Sequence, residues 1–254
     1  VPDEYIPSYE EFYGPNWRQE LEASVREGHV SRNPDRKHRP LSASVGATWN
    51  MKGGYSAALS LARTERAPTV RELFAFGNNL ATNSYEVGLL ADWEFIDPIL
   101  EEAGIFRGDV MEKSDALNLT FRKAGGPLEF EVGLFHQDVD DYVYAHALET
   151  ETRNGVAHHF LVYTAGKARF SGIDGQASYR LSPASRLTVF GDYVHAELGD
   201  EKGYLPRIPP ARLGARYQGD WGPLSAGLEV YRQFTQDRLA PLETRTDGYH
   251  MLNA

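Results

Sequence analysis

The chain has 254 residues, no cysteine and a formal charge of −10. Disulfide frameworks and thiolate metal sites are therefore excluded, and nucleic acid is disfavoured as a partner because phosphates are neutralised by clustered Lys and Arg. No run of about 18 apolar residues occurs, so no segment is suited to cross a membrane as a helix, while the length suffices for one large domain or part of a larger one.

Period-two alternation runs through the chain from early on. In "ELEASVREG", Leu21, Ala23 and Val25 oppose Glu22, Ser24 and Arg26. In "LSASVGATWNM", Leu41, Ala43, Val45, Ala47, Trp49 and Met51 oppose serine, glycine, threonine and asparagine. After a Gly-containing turn, Tyr55, Ala57, Leu59 and Leu61 repeat the pattern. Further along, Leu117, Leu119 and Phe121 oppose Asn118, Thr120 and Arg122, and Ile173, Ala177, Tyr179 and Leu181 oppose Asp174, Gln176, Ser178 and Arg180. Leu213, Ala215 and Tyr217 then oppose Arg212, Gly214 and Arg216, and Leu228 and Val230 oppose Glu229 and Tyr231. Such alternation specifies strands with one apolar face. The reading is an all-β, antiparallel chain of about 11 strands.

Whether that apolar face meets a core or lipid is decided by three features. Residues 41–51 are long enough, at a tilt near 45°, to cross about 25 Å, the height of a lipid-facing band. The apolar side is rich in alanine and carries Trp49, Tyr55, Tyr179 and Tyr217 near its ends, which suits a wall edged by interfacial aromatics better than a dense core. The connections also alternate. "YGPN" (13–16), "KGG", "KAGGP", "SPAS" and "DWGP" are short turns. Between them lie the longer segments "SRNPDRKHRP", residues 63–112, "HALETETRNGVAHH", "HAELGDEKGYLPRIPP" and "TQDRLAPLETRTDG". Short turns at one end and long loops at the other characterise an outer-membrane barrel, so a transmembrane β-barrel is expected and a soluble sandwich is the alternative.

Residues 60–88, "SLARTERAPTVRELFAFGNNLATNSYEVG", resemble the segment by which TonB-dependent outer-membrane receptors are recognised. In these a strand ends in Arg-Ala-Pro, and a Glu-Leu-(Phe/Tyr) turn leads into an external loop. Arg66, Ala67, Pro68, Glu72, Leu73 and Phe74 carry it here. Pro68 has no N–H for a ladder and stops strand pairing. "GNNLATNSYEVG" is similar to a segment of a subgroup that includes zinc-uptake receptors. "MEKSDALNLTFRK", "FEVGLFHQDVDDYVY", "ARFSGIDGQASYRL", "LPRIPPARLGARY" and "QDRLAPLETRTDGYHMLNA" resemble later strands of the family in the same order. Residues 89–108 read as an insertion in the external loop, with a short helix expected around Pro98 to Ala103.

The resemblance implies a 22-stranded barrel filled by an N-terminal plug. Residues 1–254 are accordingly expected to form part of such a barrel, with no plug among them. It implies a receptor in the outer membrane of a Gram-negative bacterium, not an enzyme, and with no permanently bound cofactor. Its cargo would be zinc or a metal chelate, and its partners outer-membrane lipid, that cargo, and the TonB complex reached through the plug. A siderophore, haem or cobalamin receptor is the alternative within the class; a passive porin or a soluble all-β binding domain lies outside it.

Two residue sets are candidates for function. Arg26, Asp174, Arg180, Arg212, Arg216 and Glu229 occupy polar strand positions, and under the resemblance they line the lumen against the plug. For metal, imidazole and carboxylate are the ligands available. His136, Asp138, Asp140, Asp141 and His146 on one strand are expected to face His158 and His159 across a loop. Alternation is mixed there, with Phe135 and Val139 apolar in the wrong register, which points to a bulge or to the upper end of the lipid band. The excess of Asp and Glu over 63–112 would draw cations to the mouth.

Overall fold

A computed structural model of the chain describes residues 15–16, 36–91, 100–101, 104–153, 155–199 and 203–254. Within these residues twelve strands form one sheet. Nine of them run as an antiparallel meander: β1 (Ser42–Asn50), β2 (Tyr55–Arg66), β5 (Glu112–Lys123), β6 (Leu128–Arg153), β7 (Val156–Ser182), β8 (Ser185–Leu198), β10 (Arg212–Trp221), β11 (Leu224–Gln233) and β12 (Tyr249–Asn253). The remaining three are short. β3 (Phe76–Asn79) pairs with β4 (Ser84–Val87), β4 runs parallel to β7, and β9 (Gly203–Tyr204) pairs with β8. A short α-helix, α1 (Val70–Phe74), follows β2. Among the described residues the sheet is open, with β1 and β12 at its edges. The expected strand at residues 20–28, and with it Arg26, lies outside the described residues.

Register carries the sequence alternation across the sheet. Val45 opposes Leu61 and Leu61 opposes Leu117, while Leu59, Leu119, Leu134, Ile173 and Tyr193 follow one another across five strands. Lower down, Leu128, Tyr179, Leu187, Tyr217 and Leu228 do the same. These residues do not converge on a core: Val45, Leu59, Leu213 and Leu228 are 68%, 45%, 54% and 48% exposed. Aromatic rings edge this apolar face towards the short turns, where Tyr55 stacks with Phe121 at 6.0 Å and Tyr217 lies 6.4 Å from Trp221.

One expectation is corrected. "HALETETRNGVAHH" is not a loop: β6 and β7, at 26 and 27 residues, stay paired to Arg153 and Val156 and project past β5 and β8, which have 12 and 14. Polar and β-branched residues sustain a ladder there because both strands keep partners, which composition alone does not reveal. The ladder of β6 and β7 shifts register twice, between Ala147 and Glu149 and, at the level of the mixed alternation, between Val139 and Tyr142, with Asp141 at φ 56°. The latter shift places the bulge above Phe135, whose ring instead covers the bare backbone of Gly172. Of the helix expected in the insertion, Leu100 and Glu101 are helical and the flanking 98–99 and 102–103 lie outside the described residues.

At the long-loop end, which we term the crown, burial resumes. Val87, Ala91, Leu100 and Val162 form one cluster, Leu73, Leu89 and Val143 a second, and Val139, Ala168, Ala196, Leu198 and Leu205 a third. Residues 88–90 are clipped to α1 by backbone bonds from Gly88, Leu89 and Leu90 to the carbonyls of Ala75, Glu72 and Leu73. Gly88 is required there, because a Cβ would sit 2.5 Å from the Leu73 carbonyl oxygen.

Candidate functional site

The face opposite the apolar one carries a row of paired charges. Arg212 and Asp192 are register partners on β10 and β8, and the Arg212 Nε donates to Asp192 Oδ1 at 2.8 Å. Arg216 and Glu229 are partners on β10 and β11, joined by an Nε donation at 2.7 Å, and Asn253 Nδ2 donates to the same carboxylate at 3.2 Å. Between the two arginines lies Phe190, 5.7 Å from the Arg212 guanidinium and 5.5 Å from that of Arg216, with Tyr231 6.0 Å from Arg212 on its other side. Gly214 makes this stack possible: a Cβ there would meet the Phe190 ring at 2.5 Å and Tyr231 Cβ at 2.6 Å. Asp174, Glu131 and Gln176 complete a concavity of about 410 Å³. Arginine stacked on an aromatic face and held by a carboxylate presents fixed donors to a polar or anionic surface.

Of the six expected lumen residues, Asp174, Arg212, Arg216 and Glu229 meet in this concavity. Arg180 shares the face but opposes Arg186 near the short turns, away from the group, and Arg26 is outside the described residues. Asp192 and Phe190 were not anticipated. In "LTVFGDYVHAEL" apolar residues occupy both registers, Val189 and Tyr193 on one and Phe190 and Val194 on the other, so alternation does not say which side is polar. Strand pairing with Arg212 does.

The Arg-Ala-Pro segment has its own geometry in the crown. Arg66, the last residue of β2, donates from Nη1 and Nη2 to Glu72 at 2.9 and 3.1 Å and from Nη2 to Glu112 at 2.6 Å. Glu112 also accepts the backbone N–H of Val143 at 2.7 Å. Ala67 continues from Arg66 out of the strand, Pro68 is buried, and Thr69 caps α1 in a capping box with Glu72, a reciprocal arrangement that satisfies two free N–H groups. Leu73, 4% exposed, anchors the turn. A second carboxylate, Glu86, is buried and accepts from Arg71 at 2.8 and 2.6 Å, Asn79 at 2.9 Å and Ser84 at 3.0 Å. Burial alone would push the Glu72 and Glu86 carboxyls up, but hydrogen bonds from Arg66 and from Arg71 respectively hold both below the usual carboxylate range. Glu112 and Glu86 are the residues sequence reading missed; each lies far along the chain from its arginine or on a separate short strand.

The seven expected metal ligands do not form one centre. His136 and Asp138 share a face, with His136 Nε2 3.2 Å from Asp138 Oδ2, but the other side of Asp138 is taken by Arg169 Nε at 3.0 Å. Both lie on the apolar-face register, since His136 opposes Leu117. Asp140 continues that register and Asp141 sits in the bulge. His146 opposes Val162, His158 opposes Glu151, and His159 opposes Thr150, whose hydroxyl lies 3.0 Å from His159 Nδ1. About 40 Å of extended strand separates the His136 level from His158. Continuous pairing of β6 with β7 keeps the imidazoles apart where a folded-back loop would have gathered them. No group of three or more potential ligands able to hold a metal ion occurs among the described residues.

Residues 11–254 match the family model described as TonB dependent receptor-like, beta-barrel. Among solved structures the chain is similar to the copper transporter OprC, at 18% identity and a TM-score of 0.65 over 83% of this chain and 31% of that one. It is also similar to the siderophore receptor PirA from Pseudomonas aeruginosa (14%, 0.53, 83% and 34%) and to the pyoverdine receptor FpvA from Pseudomonas aeruginosa PAO1 (13%, 0.53, 82% and 28%). The chain thus spans about a third of the length of these structures, and at such identities the likeness is one of fold. With the family match running over nearly the whole sequence, the chain belongs to the TonB-dependent receptor-like β-barrel family.

Proposed function

We propose that this chain is wall and external crown of an outer-membrane uptake receptor of a Gram-negative bacterium, which imports a metal ion or metal chelate and is not an enzyme. The observation that carries the reading is the division of one sheet into an exposed apolar face and a face of paired charges. An apolar face without a covering layer is stable where the solvent is hydrocarbon, and open edges are not, so further strands close the barrel around it. The charged face then lines a wet lumen. Arg212 and Arg216, stacked on Phe190, offer fixed guanidinium donors to a plug filling that lumen, through which the TonB complex acts.

The cargo class is supported by the family and by relatives that carry copper or bind siderophores. Zinc is the finer reading. It rests on the similarity of "GNNLATNSYEVG" to zinc-uptake receptors and on the acidic stretch 63–112, which concentrates cations at the mouth. His158 and His159, near the tip of the β6–β7 hairpin, are the imidazoles offered furthest out. The test is growth of a receptor-deleted strain carrying the full-length gene under separate zinc, copper and iron limitation, with cellular metal measured. Rescue under zinc limitation alone supports the finer reading, and rescue only with a ferric siderophore replaces it. Loss of zinc rescue on changing His158→Ala with His159→Ala assigns the hairpin tip to capture; full rescue removes those two residues from it.

A further inference from the structure

The apolar face gives way to charge at a common height, and on β11 and β12 it does so without compensation. Along β11 the residues Leu224, Leu228 and Val230 on this face are 46% exposed or more, and Arg232 ends the apolar run. Arg232 is the register partner of Leu213 on β10 and of His250 on β12, and Leu252 stands beside Val230. At about 3.3 Å per residue and a tilt near 45°, Arg232 lies roughly 19 Å above Leu224 at the short turn. Asp138, the first charge on the same face of β6, lies roughly 23 Å above Leu128 by the same measure. Both heights approach the top of a lipid-facing band about 25 Å tall. Arg232 and His250 therefore stand where hydrocarbon gives way to headgroups, the depth at which a cation on this face costs least.

The cations at this height are not handled alike. Arg63 has Asp115 at 3.5 Å, and Arg169 has Asp138 at 3.0 Å and Glu197 at 3.5 Å. Arg232 and His250 are exposed, and neither forms a hydrogen bond or ion pair with another described residue. The Arg232 guanidinium instead lies over the Phe234 ring, 5.0 Å from its centre, a contact that orients it without using its N–H donors. Residues 203–254 are all described, and their carboxylates are engaged or turned elsewhere. Asp220 accepts from Ser225 at the short-turn end, and Glu229 is held by Arg216 on the opposite face. Glu243 accepts the backbone N–H groups of Arg207 and Ala240, and Asp247 lies 3.4 Å from Arg245. Asp237 follows β11 into the external loop and forms no pair with Arg232. Two hydrogen-bond donors, one of them a cation, thus face the lipid border with an apolar surface beneath them and no acceptor among the described residues.

We propose that Arg232 and His250 seat the phosphate of a phosphorylated glycolipid in the external leaflet, its acyl chains running down over Val230, Leu252 and Leu213. A guanidinium donates to two phosphate oxygens at once, and the imidazole N–H on the neighbouring strand supplies a further donor. A zwitterionic headgroup fits less well, because the apolar face of β10, β11 and β12 carries no carboxylate to receive an amine. The inference rests on the reading of that face as lipid-facing.

The test uses the full-length receptor, delipidated in detergent and titrated with lipid A bearing both phosphates or with the same lipid A stripped of both. Bound lipid is counted by native mass spectrometry. The phosphorylated form is expected to bind about tenfold more tightly. Arg232→Gln with His250→Gln is expected to cut that preference to below about twofold, while the receptor keeps the heat-modifiable gel mobility of a folded barrel. Arg232→Gln alone provides the same readout if the pair fails to fold. Arg63→Gln, which removes a cation already compensated by Asp115, should leave the preference unchanged. Equal binding of the two lipids, a preference that survives the double substitution, or an equal loss in Arg63→Gln overturns the proposal. So does inorganic phosphate that displaces lipid A at matched phosphate concentration, since the site then recognises a free anion. A receptor that does not insert into lipid vesicles fails at the earlier reading instead.

Discussion

In the lower strands the large apolar side chains Val45, Leu59, Leu213 and Leu228 stand 45% exposed or more, whereas in the crown Leu73, Val87, Leu89, Leu100 and Leu205 are at most 4% exposed. Every apolar side chain buried among the described residues lies at the long-loop end. One chain thus places the same residue types in opposite settings, and the contrast reports the solvent of each region. Water penalises exposed apolar surface by about 25 cal/mol per Å², so the crown folds α1, β3, β4 and residues 88–91 over the projecting β6–β7 hairpin. Hydrocarbon carries no such penalty, and the lower strands leave their leucines outside.

The sharpest way to break this contrast is to place the same charge on each face of one strand. Leu59 and Ser60 are neighbours on β2, on the apolar and polar faces respectively. In the full receptor reconstituted in lipid vesicles, Leu59→Arg is expected to cost about 2–4 kcal/mol, the depth-dependent penalty of a cation in hydrocarbon. Ser60→Arg, entering a wet lumen, should cost less than about 1 kcal/mol. Equilibrium urea unfolding measures both. Equal costs would mean that the two faces see one solvent.

A smaller effect sharpens the crown's side of the comparison. Removing the Glu86 carboxylate with Glu86→Ala strands donors on Arg71, Asn79 and Ser84. Because Arg71 is half in water, the loss is discounted for solvent screening to about 2 kcal/mol. That corresponds to roughly 30-fold faster hydrogen exchange over residues 76–90. Amides of β10 and β11 should not change, since nothing in those strands touches Glu86. Matching acceleration in both regions would show a single cooperative unit where the contrast requires two.

What the sequence made legible follows the same division. Strands β1, β2, β5, β10 and β11 could be read almost residue by residue, because a wall between lipid and water imposes strict alternation and admits no register slip. Arg212, Arg216 and Glu229 could be placed on the polar face for that reason, though which carboxylate each arginine takes is a matter of register and became visible only in the paired strands. The crown obeys no period. Its organisers are Arg66 with Glu112, Arg71 with Glu86, and the parallel pairing of Tyr85 and Val87 with Phe160 and Val162. These are contacts between distant or separately folded segments that no local pattern encodes. The histidines suffered most, since their expected convergence assumed a loop where β6 and β7 continue as a ladder.

The gentlest probe is acid, and its sign separates the regions. Glu72 and Glu86 lie outside the membrane-spanning strands and have carboxyl groups held below their ordinary value of 4.5 by hydrogen bonds from arginine. A carboxylate whose pKa is lowered on folding contributes stability that is fully present above its unfolded value and is lost as pH falls through the folded one. Crown amides at residues 69–90 should therefore lose protection, after correction for intrinsic exchange, as pH is lowered below about 4.5 and keep it between 5 and 7. The rows from Leu59 through Leu119 and Leu134 contain no titrating group and are held by their ladder and by lipid, so their amides should show no step in that window. Glu72→Gln with Glu86→Gln should weaken the crown at neutral pH and flatten its acid response, because an amide has no proton to gain. A step of equal size in the lower strands would place the acid-sensitive links in the wall itself and dissolve the distinction between a crown held by ion pairs and a wall held by its solvent.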